Sequence, residues 1–207
     1  MSTRAELRAR LRRELKDEDP ANRRWSDAEL DRHLDRALSD LSVGMPREQQ
    51  TDLAMPGGTR EVDLSGLAGL LVVEAVEYPA GMFPPAYVGW ARRANTLTLL
   101  VDSPPAAGEQ VRVYWLGRHT LADTGSTLSP DQEELLLLGA AGYAVRALAN
   151  HAINRVNLTR SAQADFLKWA EATLGRFRSE LARRGRTGRA RSSRLYIPAF
   201  NGGKGDV

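Results

Sequence analysis

Apolar residues recur at helical spacing at both ends of this chain and alternate with polar ones in its middle. Near the N-terminus, Leu7, Leu11 and Leu15 form one stripe behind Thr3, which can cap a helix that Glu6 closes into a capping box. The polar stretch 17–24, which contains Pro20, predicts a loop. A sharper start signal follows at Trp25-Ser26-Asp27-Ala28-Glu29, where Ser26 caps, Glu29 reciprocates and Trp25 can fold back onto Leu30 as a hydrophobic staple. That helix presents Leu30, Leu34, Ala37, Leu38 and Leu41 before Gly44 and Pro46 stop it.

From 47 to 127 the period shortens to two and turn residues recur every ten residues or so. The predicted strands are 51–55, 60–64, 71–78, 87–91, 96–101 and 110–116, separated by Gly57-Gly58, the proline-rich 79–85, Asn95 and 104–108. In the last of them Val111, Val113 and Trp115 share one face, and Arg112 and Tyr114 the other. Helical spacing returns at Ser129-Pro130-Asp131-Gln132, a capped start with proline at the first helical position. The apolar face that follows, from Leu135–Leu138 through Ala141, Val145, Leu148, Ala149 and Ala152, is wide enough to predict burial on several sides. Asn157-Leu158-Thr159 breaks the pattern. A fourth helix then carries Phe166, Leu167, Ala170, Leu174, Phe177 and Leu181, and Gly185 reads as its C-terminal cap.

The expected fold class is α+β: a bundle of four main helices with an antiparallel β subdomain inserted between helices two and three, and an extended C-terminal tail. In residue terms these are an N-terminal helical hairpin at 1–46, the β subdomain at 47–128, the long helical pair at 129–185 and the tail at 186–207.

Charge sharpens the picture at the tail. The net charge is +3, yet from Arg183 onward six arginines and Lys204 stand against Asp206, so +6 sits there and −3 on the rest. Within the tail Arg186, Arg189, Arg191 and Arg194 alternate with Gly, Ser, Thr and Ala, a composition unable to bury enough apolar surface to order itself. The apolar run Leu195-Tyr196-Ile197-Pro198-Ala199-Phe200 follows. Burying its four large side chains yields roughly 1.5–3 kcal/mol each, and ordering six residues costs about 1–2 kcal/mol apiece. A single tail therefore binds weakly unless it pairs with a sheet edge or engages together with other tails on a multivalent partner.

Chemistry finds little purchase. The chain has no cysteine, which removes disulfides, thiolate zinc sites and cysteine nucleophiles. His33, His119 and His151 lie on separate elements without metal-ligand spacing and read as surface or satisfied core residues. Gly57-Gly58 and Gly202-Gly203 lack the lysine and the strand-to-helix context of a phosphate loop, and Ser129 and Ser161 sit at caps. We expect no enzyme, no cofactor and no metal. The charged N-terminus and the absence of a long apolar run lead us to expect a soluble, intracellular protein with no membrane partner. On the second helix Asp27, Asp31 and Asp35 line one face at spacings of four, beside Arg32 and Arg36. Like charges at that spacing repel, so these five residues read either as a solvated face or as a subunit interface whose compensation comes from a neighbour.

The order of these features, from Leu7–Leu15 through Asp19-Pro20 and Arg24-Trp25-Ser26-Asp27-Ala28-Glu29-Leu30-Asp31 to the long pair with Tyr143, Ala144 and Trp169, resembles the head-tail connector (adaptor) proteins of tailed bacteriophages. The resemblance covers most of the chain by architecture and rests on one short motif by sequence. It implies a structural virion protein located in the neck between capsid and tail, assembled in the host cytoplasm as a ring of identical subunits, usually twelve, beneath the portal. Its partners would be the portal protein, tail or neck proteins, and genomic DNA passing through the channel without sequence-specific contacts. The mildly acidic body would suit a channel in which DNA must slide. Portal binding would fall to the tail, at Arg189, Arg191, Arg194, Leu195, Tyr196, Ile197, Pro198 and Phe200. Two other readings stand beside it: a nucleic-acid-binding protein that uses the arginine-rich tail, and a different neck or tail-completion protein.

Overall fold

In the computed structural model the backbone is described for residues 2–152 and 160–187, and side chains for 2–150 and 164–185. The tail beyond Thr187 and the break expected at 157–159 lie outside the described residues. The fold is α+β, as expected. Four helices, α1 (Arg4–Glu14), α2 (Asp27–Gly44), α3 (Pro130–Ala152) and α4 (Arg160–Thr187), form one compact unit, and the residues between α2 and α3 build antiparallel sheets.

The starts of the first three helices obey local capping chemistry. Thr3 with Glu6, and Ser26 with Glu29, form complete capping boxes. Ser129 accepts from the Gln132 amide while the Gln132 side chain accepts from the Ser129 amide. Trp25, the staple residue, is buried in the same cluster as Leu30. The seam between α3 and α4 depends on small residues: a Cβ at Gly139 would lie 2.8 Å from the Phe177 ring, and one at Gly142 would lie 2.9 Å from Leu174. The apolar face of α3 is buried on several sides, with Leu135, Leu136, Leu137, Ala140, Ala144 and Ala149 inaccessible or nearly so.

Gly185 requires a correction. Instead of capping α4 it lies inside the helix, which runs on to Thr187. A Cβ there would stand 2.3 Å from the Gly44 carbonyl oxygen, so the glycine serves a close crossing of α4 over the end of α2.

The β unit, Arg47–Arg118 among the described residues, contains two three-stranded antiparallel sheets. One has β1 (Arg47–Ala54), β6 (Gln110–Gly117) and β3 (Leu70–Glu77), with β6 central; the other has β2 (Glu61–Asp63), β5 (Thr96–Leu100) and β4 (Gly89–Arg93), with β5 central. The face of β6 anticipated from alternation is the buried one: Val111 and Val113 are fully inaccessible and Trp115 nearly so, its indole donating to Thr51 Oγ1 at 3.0 Å. Leu97 and Leu99 on β5 join this core with Val62, Leu64 and Val73. The buried Glu77 carboxylate accepts from Tyr114 Oη at 2.8 Å and from the Gly81 amide at 2.7 Å, and those bonds meet the cost of burying its charge.

The segment 119–128 behaves differently from the sequence expectation, which carried the β subdomain through 128. The β unit closes at Arg118, and the short hairpin β7 (Leu121–Ala122) and β8 (Gly125–Ser126) belongs with the helices. Its anchor is His119, whose amide donates to Ser42 Oγ at 3.1 Å and whose ring lies 3.0 Å from the Met45 carbonyl and 3.2 Å from Thr127 Oγ1. Leu121 and Leu128 add to the helical core.

Candidate interaction surfaces

Three arginines on α1 recur at the same spacing as the three aspartates on α2, and the helices bring the rows together in antiparallel register. Arg4 meets Asp35 at 2.8 Å, Arg8 meets Asp31 at 2.7 Å and Arg12 meets Asp27 at 2.6 Å. The repulsion along the aspartate row is therefore relieved within the chain. The deepest rung is the strongest: Arg12, buried, also pairs with buried Asp17 at 2.5 Å and donates to the Trp25 carbonyl at 3.0 Å. Asp17 in turn accepts from the Arg24 amide at 2.6 Å. This node fastens the loop after α1 to the first turn of α2. The Arg12 hydrogen bond holds the Asp27 carboxyl below its ordinary range. A comparable anchor secures the N-terminus at Glu133, where burial opposes ionisation but bonds from Ser2 and Arg10 prevail and lower its pKa.

Of the five residues read as a charged face, the structure thus separates Asp27, Asp31 and Asp35 from Arg32 and Arg36. The two arginines turn toward a cleft of about 450 Å³ between α2, α3 and α4, whose walls include His33, Tyr143, Arg146 and Glu171. Arg36 stacks over the Tyr143 ring at 4.3 Å and Arg146 approaches the same ring at 5.2 Å, favourable placements for cations on an aromatic face. Tyr143 Oη donates to Asp40. Arg146 has a loose ion pair with Glu171 at 3.8 Å, and exposed Arg32 makes neither a hydrogen bond nor a close ion pair among the described residues.

His33 sits at the floor of this cleft, buried. Burial, together with the positive charges of Arg32 and Arg36 and despite Glu29, depresses its pKa to about 4. A histidine whose folded pKa lies below its unfolded value stabilises the fold fully above pH 6.5, and that contribution disappears as the pH falls from 6.5 toward 4. We expect unfolding free energy to drop over that window by an amount on the order of 1–3 kcal/mol. The His33→Gln variant should show a flatter curve there in urea titrations at stepped pH; an unchanged slope would refute the assignment.

The opposite flank of α4 has another character. At 3.6 residues per turn, Leu167 and Glu171 fall on one side of the buried seam of Ala170, Leu174, Phe177 and Leu181, and Trp169, Thr173 and Arg176 fall on the other. Trp169 is 48% exposed and, with Leu15, Leu148 and Phe166, bounds a second cleft of about 300 Å³ rimmed by Glu14, Arg24 and Asp165. The sequence reading had not singled out Arg146 or Asp165, and it named Trp169 only within the resemblance. That Trp169 and Asp165 share a flank follows only once the α4 seam is known.

The tail residues Arg189, Arg191, Arg194, Leu195, Tyr196, Ile197, Pro198 and Phe200 lie outside the described residues, as does the His151 side chain. Among the described residues no group of three or more histidine, cysteine or acidic side chains could hold a metal ion, and no helix is long and apolar enough to cross a membrane.

No family model and no curated protein matches the chain. Among the solved chains similar to it are two from gene transfer agent particles. One comes from the neck of an empty gene transfer agent (GTA) particle computed with C6 symmetry; it is 21% identical, and the match covers 68% of this chain and 76% of that one. The other comes from the virion of a native gene transfer agent particle; it is 19% identical, with 84% of this chain and 87% of that one covered. The TM-score is 0.29 in both cases, so neither superposition defines a common fold over the full length.

Proposed function

We propose that this chain is a structural subunit of a phage-type neck, a head-tail connector (adaptor) that forms a ring under the portal and joins capsid to tail around the DNA channel. The observation that carries this reading is the Arg24–Asp31 box seen in its structural setting. Trp25 enters the core, Ser26 and Glu29 start α2, and Asp27 receives Arg12 from α1. The stretch that carries the resemblance is thus the joint on which the helical unit is built. A β unit placed between α2 and α3 and a wide α3 face agree with the same architecture. Arg189, Arg191 and Arg194 with Leu195, Tyr196, Ile197, Pro198 and Phe200 then form the portal-binding element, and ring assembly supplies the multivalency a weak peptide lacks.

The structure sets where to cut. Because α4 continues to Thr187, a truncation after that residue removes the tail and keeps Arg160–Thr187. We expect the truncated protein to keep its fold but to lose capture by the portal protein encoded in the same genome, measured by pull-down and by circular dichroism. Undiminished capture would show that the tail is not the anchor, and duplex DNA binding lost on the same truncation would favour the nucleic-acid reading instead.

A further inference from the structure

We infer that the apolar tip of the loop joining β3 to β4 is one half of a self-interface: Met82 and Phe83 of one copy enter the Trp169 cleft of a second copy. This inference rests on the ring reading and names a contact that would build it.

The tip is displayed on a fixed base. Phe83 is 95% exposed and Met82 57%, yet the loop that carries them is tied down. The Ala80 amide donates to the Gln110 carbonyl and the Tyr78 amide to the Ala86 carbonyl, each at 2.9 Å, and the Gly81 amide donates to the buried Glu77 carboxylate at 2.7 Å. A loop already fixed gives up little conformational freedom on binding. Pro79, Pro84 and Pro85 lack an N–H, and the Ala80 and Gly81 amides are engaged, so the tip cannot extend a partner's sheet and is read through its side chains. Residues 61–91 include no lysine or arginine, and Glu77 and Glu109 stand at the base of the loop. Arg112, which approaches Glu77 at 3.7 Å, is taken up by Asp52 in two bonds of 2.7 and 2.8 Å. That surround suits neither a phosphate backbone nor an anionic lipid surface, both of which call for basic side chains. An apolar socket on a protein fits it.

The chain carries such a socket. The cleft around Trp169 is walled by Leu15, Trp25, Val145, Leu148 and Phe166, and its charged residues are Glu14, Arg24 and Asp165. All three are exposed, so they keep their water when the cleft fills. Because both signs stand at the rim, a charged peptide of either sign meets a like charge there, whereas the uncharged tip meets none. An apolar, partly aromatic centre inside a charged, solvated rim is the composition of an interface core. The volume of about 300 Å³ lies at the small end of ligand-sized pockets and suits one phenyl ring with an apolar neighbour. The cleft belongs to the helical unit and the tip to the β unit, so the two copies contribute different surfaces. Such heterologous association is head to tail, the arrangement that closes into a ring when the rotation permits.

The absence of cysteine from the chain makes a direct test possible. In full-length protein Met82→Cys keeps Phe83 as the anchor, and Asp165→Cys places a thiol at the cleft rim of a different copy. Mixed and treated with a short thiol-to-thiol crosslinker, these two should join more than Leu100→Cys, 63% exposed on β5, joins to Asp165→Cys, by about tenfold or more. Phe83→Ser alone should weaken association in sedimentation by about tenfold or more, and added to Met82→Cys it should abolish the link. Wild-type assembly by Phe83→Ser, or equal linking from Leu100→Cys, overturns the inference and leaves the ring reading intact. Normal assembly of Phe83→Ser with lost binding to the portal protein, or to phosphatidylcholine vesicles, assigns the tip to that partner and also overturns it. A wild-type chain that stays monomeric with and without portal contradicts the ring reading itself.

Discussion

Replacing Arg12 with methionine should lower the unfolding free energy by about 3–5 kcal/mol, far more than a change at any other rung of the α1–α2 ladder. Arg12 is 6% exposed and serves Asp17, Asp27 and the Trp25 carbonyl together, so its loss strands a buried Asp17 carboxylate and an acceptor in the core. Breaking a buried pair by removing one partner leaves the other charge uncompensated, and the protein bears that full cost. The outer rung offers the contrast. Arg4 and Asp35 meet at 2.8 Å, but Asp35 is 55% exposed, and such pairs contribute about 0.2–1 kcal/mol at most. Urea titrations of Arg12→Met and Asp35→Ala, with hydrogen exchange to locate the loss in the helical unit, separate the two. Equal losses would mean that the buried node has no special weight.

Phe177→Ala is the second large effect, expected at about 3–5 kcal/mol. Phe177 is fully inaccessible and its ring lies directly over Gly139 on α3. Truncation empties the centre of the α3–α4 seam, where no small neighbour can fill the space. The same contact predicts the reverse experiment. Gly139→Ala should gain roughly 1 kcal/mol in helix propensity yet lose about 1–3 kcal/mol to overpacking, because the new methyl meets the ring at 2.8 Å. Combined with Phe177→Leu the alanine should be tolerated, giving a double-mutant cycle with favourable coupling. Strictly additive losses would show that the ring and the glycine do not share that space.

These two sites also show what a sequence discloses and what it withholds. The box at Ser26 and Glu29 was legible because capping is settled within four residues, and the buried face of β6 because alternation fixes which side chains share a side. The ladder was half legible. The aspartates at 27, 31 and 35 drew notice as a like-charged row, whereas the arginines at 4, 8 and 12 that relieve them belong to another helix. Only the tertiary register makes the two rows one structure. Gly185 misled for the converse reason. A glycine after two arginines reads as a cap by local rules, but here it answers to a backbone carbonyl distant in sequence at Gly44. The placement of 119–128 with the helices likewise turns on His119 reaching Ser42 and Met45, contacts that no local pattern announces.

The site followed the same division. Arg32 and Arg36 were visible as a row on α2, but the cleft exists because α3 adds Tyr143 and Arg146 and α4 adds Glu171. A charged face on one helix became a basic recess only through packing.

Native mass spectrometry of the full-length chain, alone and with the portal protein encoded in the same genome, tests the central claim most directly. The account predicts a closed assembly of identical subunits that binds the portal as a unit. A chain that remains monomeric in both samples would contradict it.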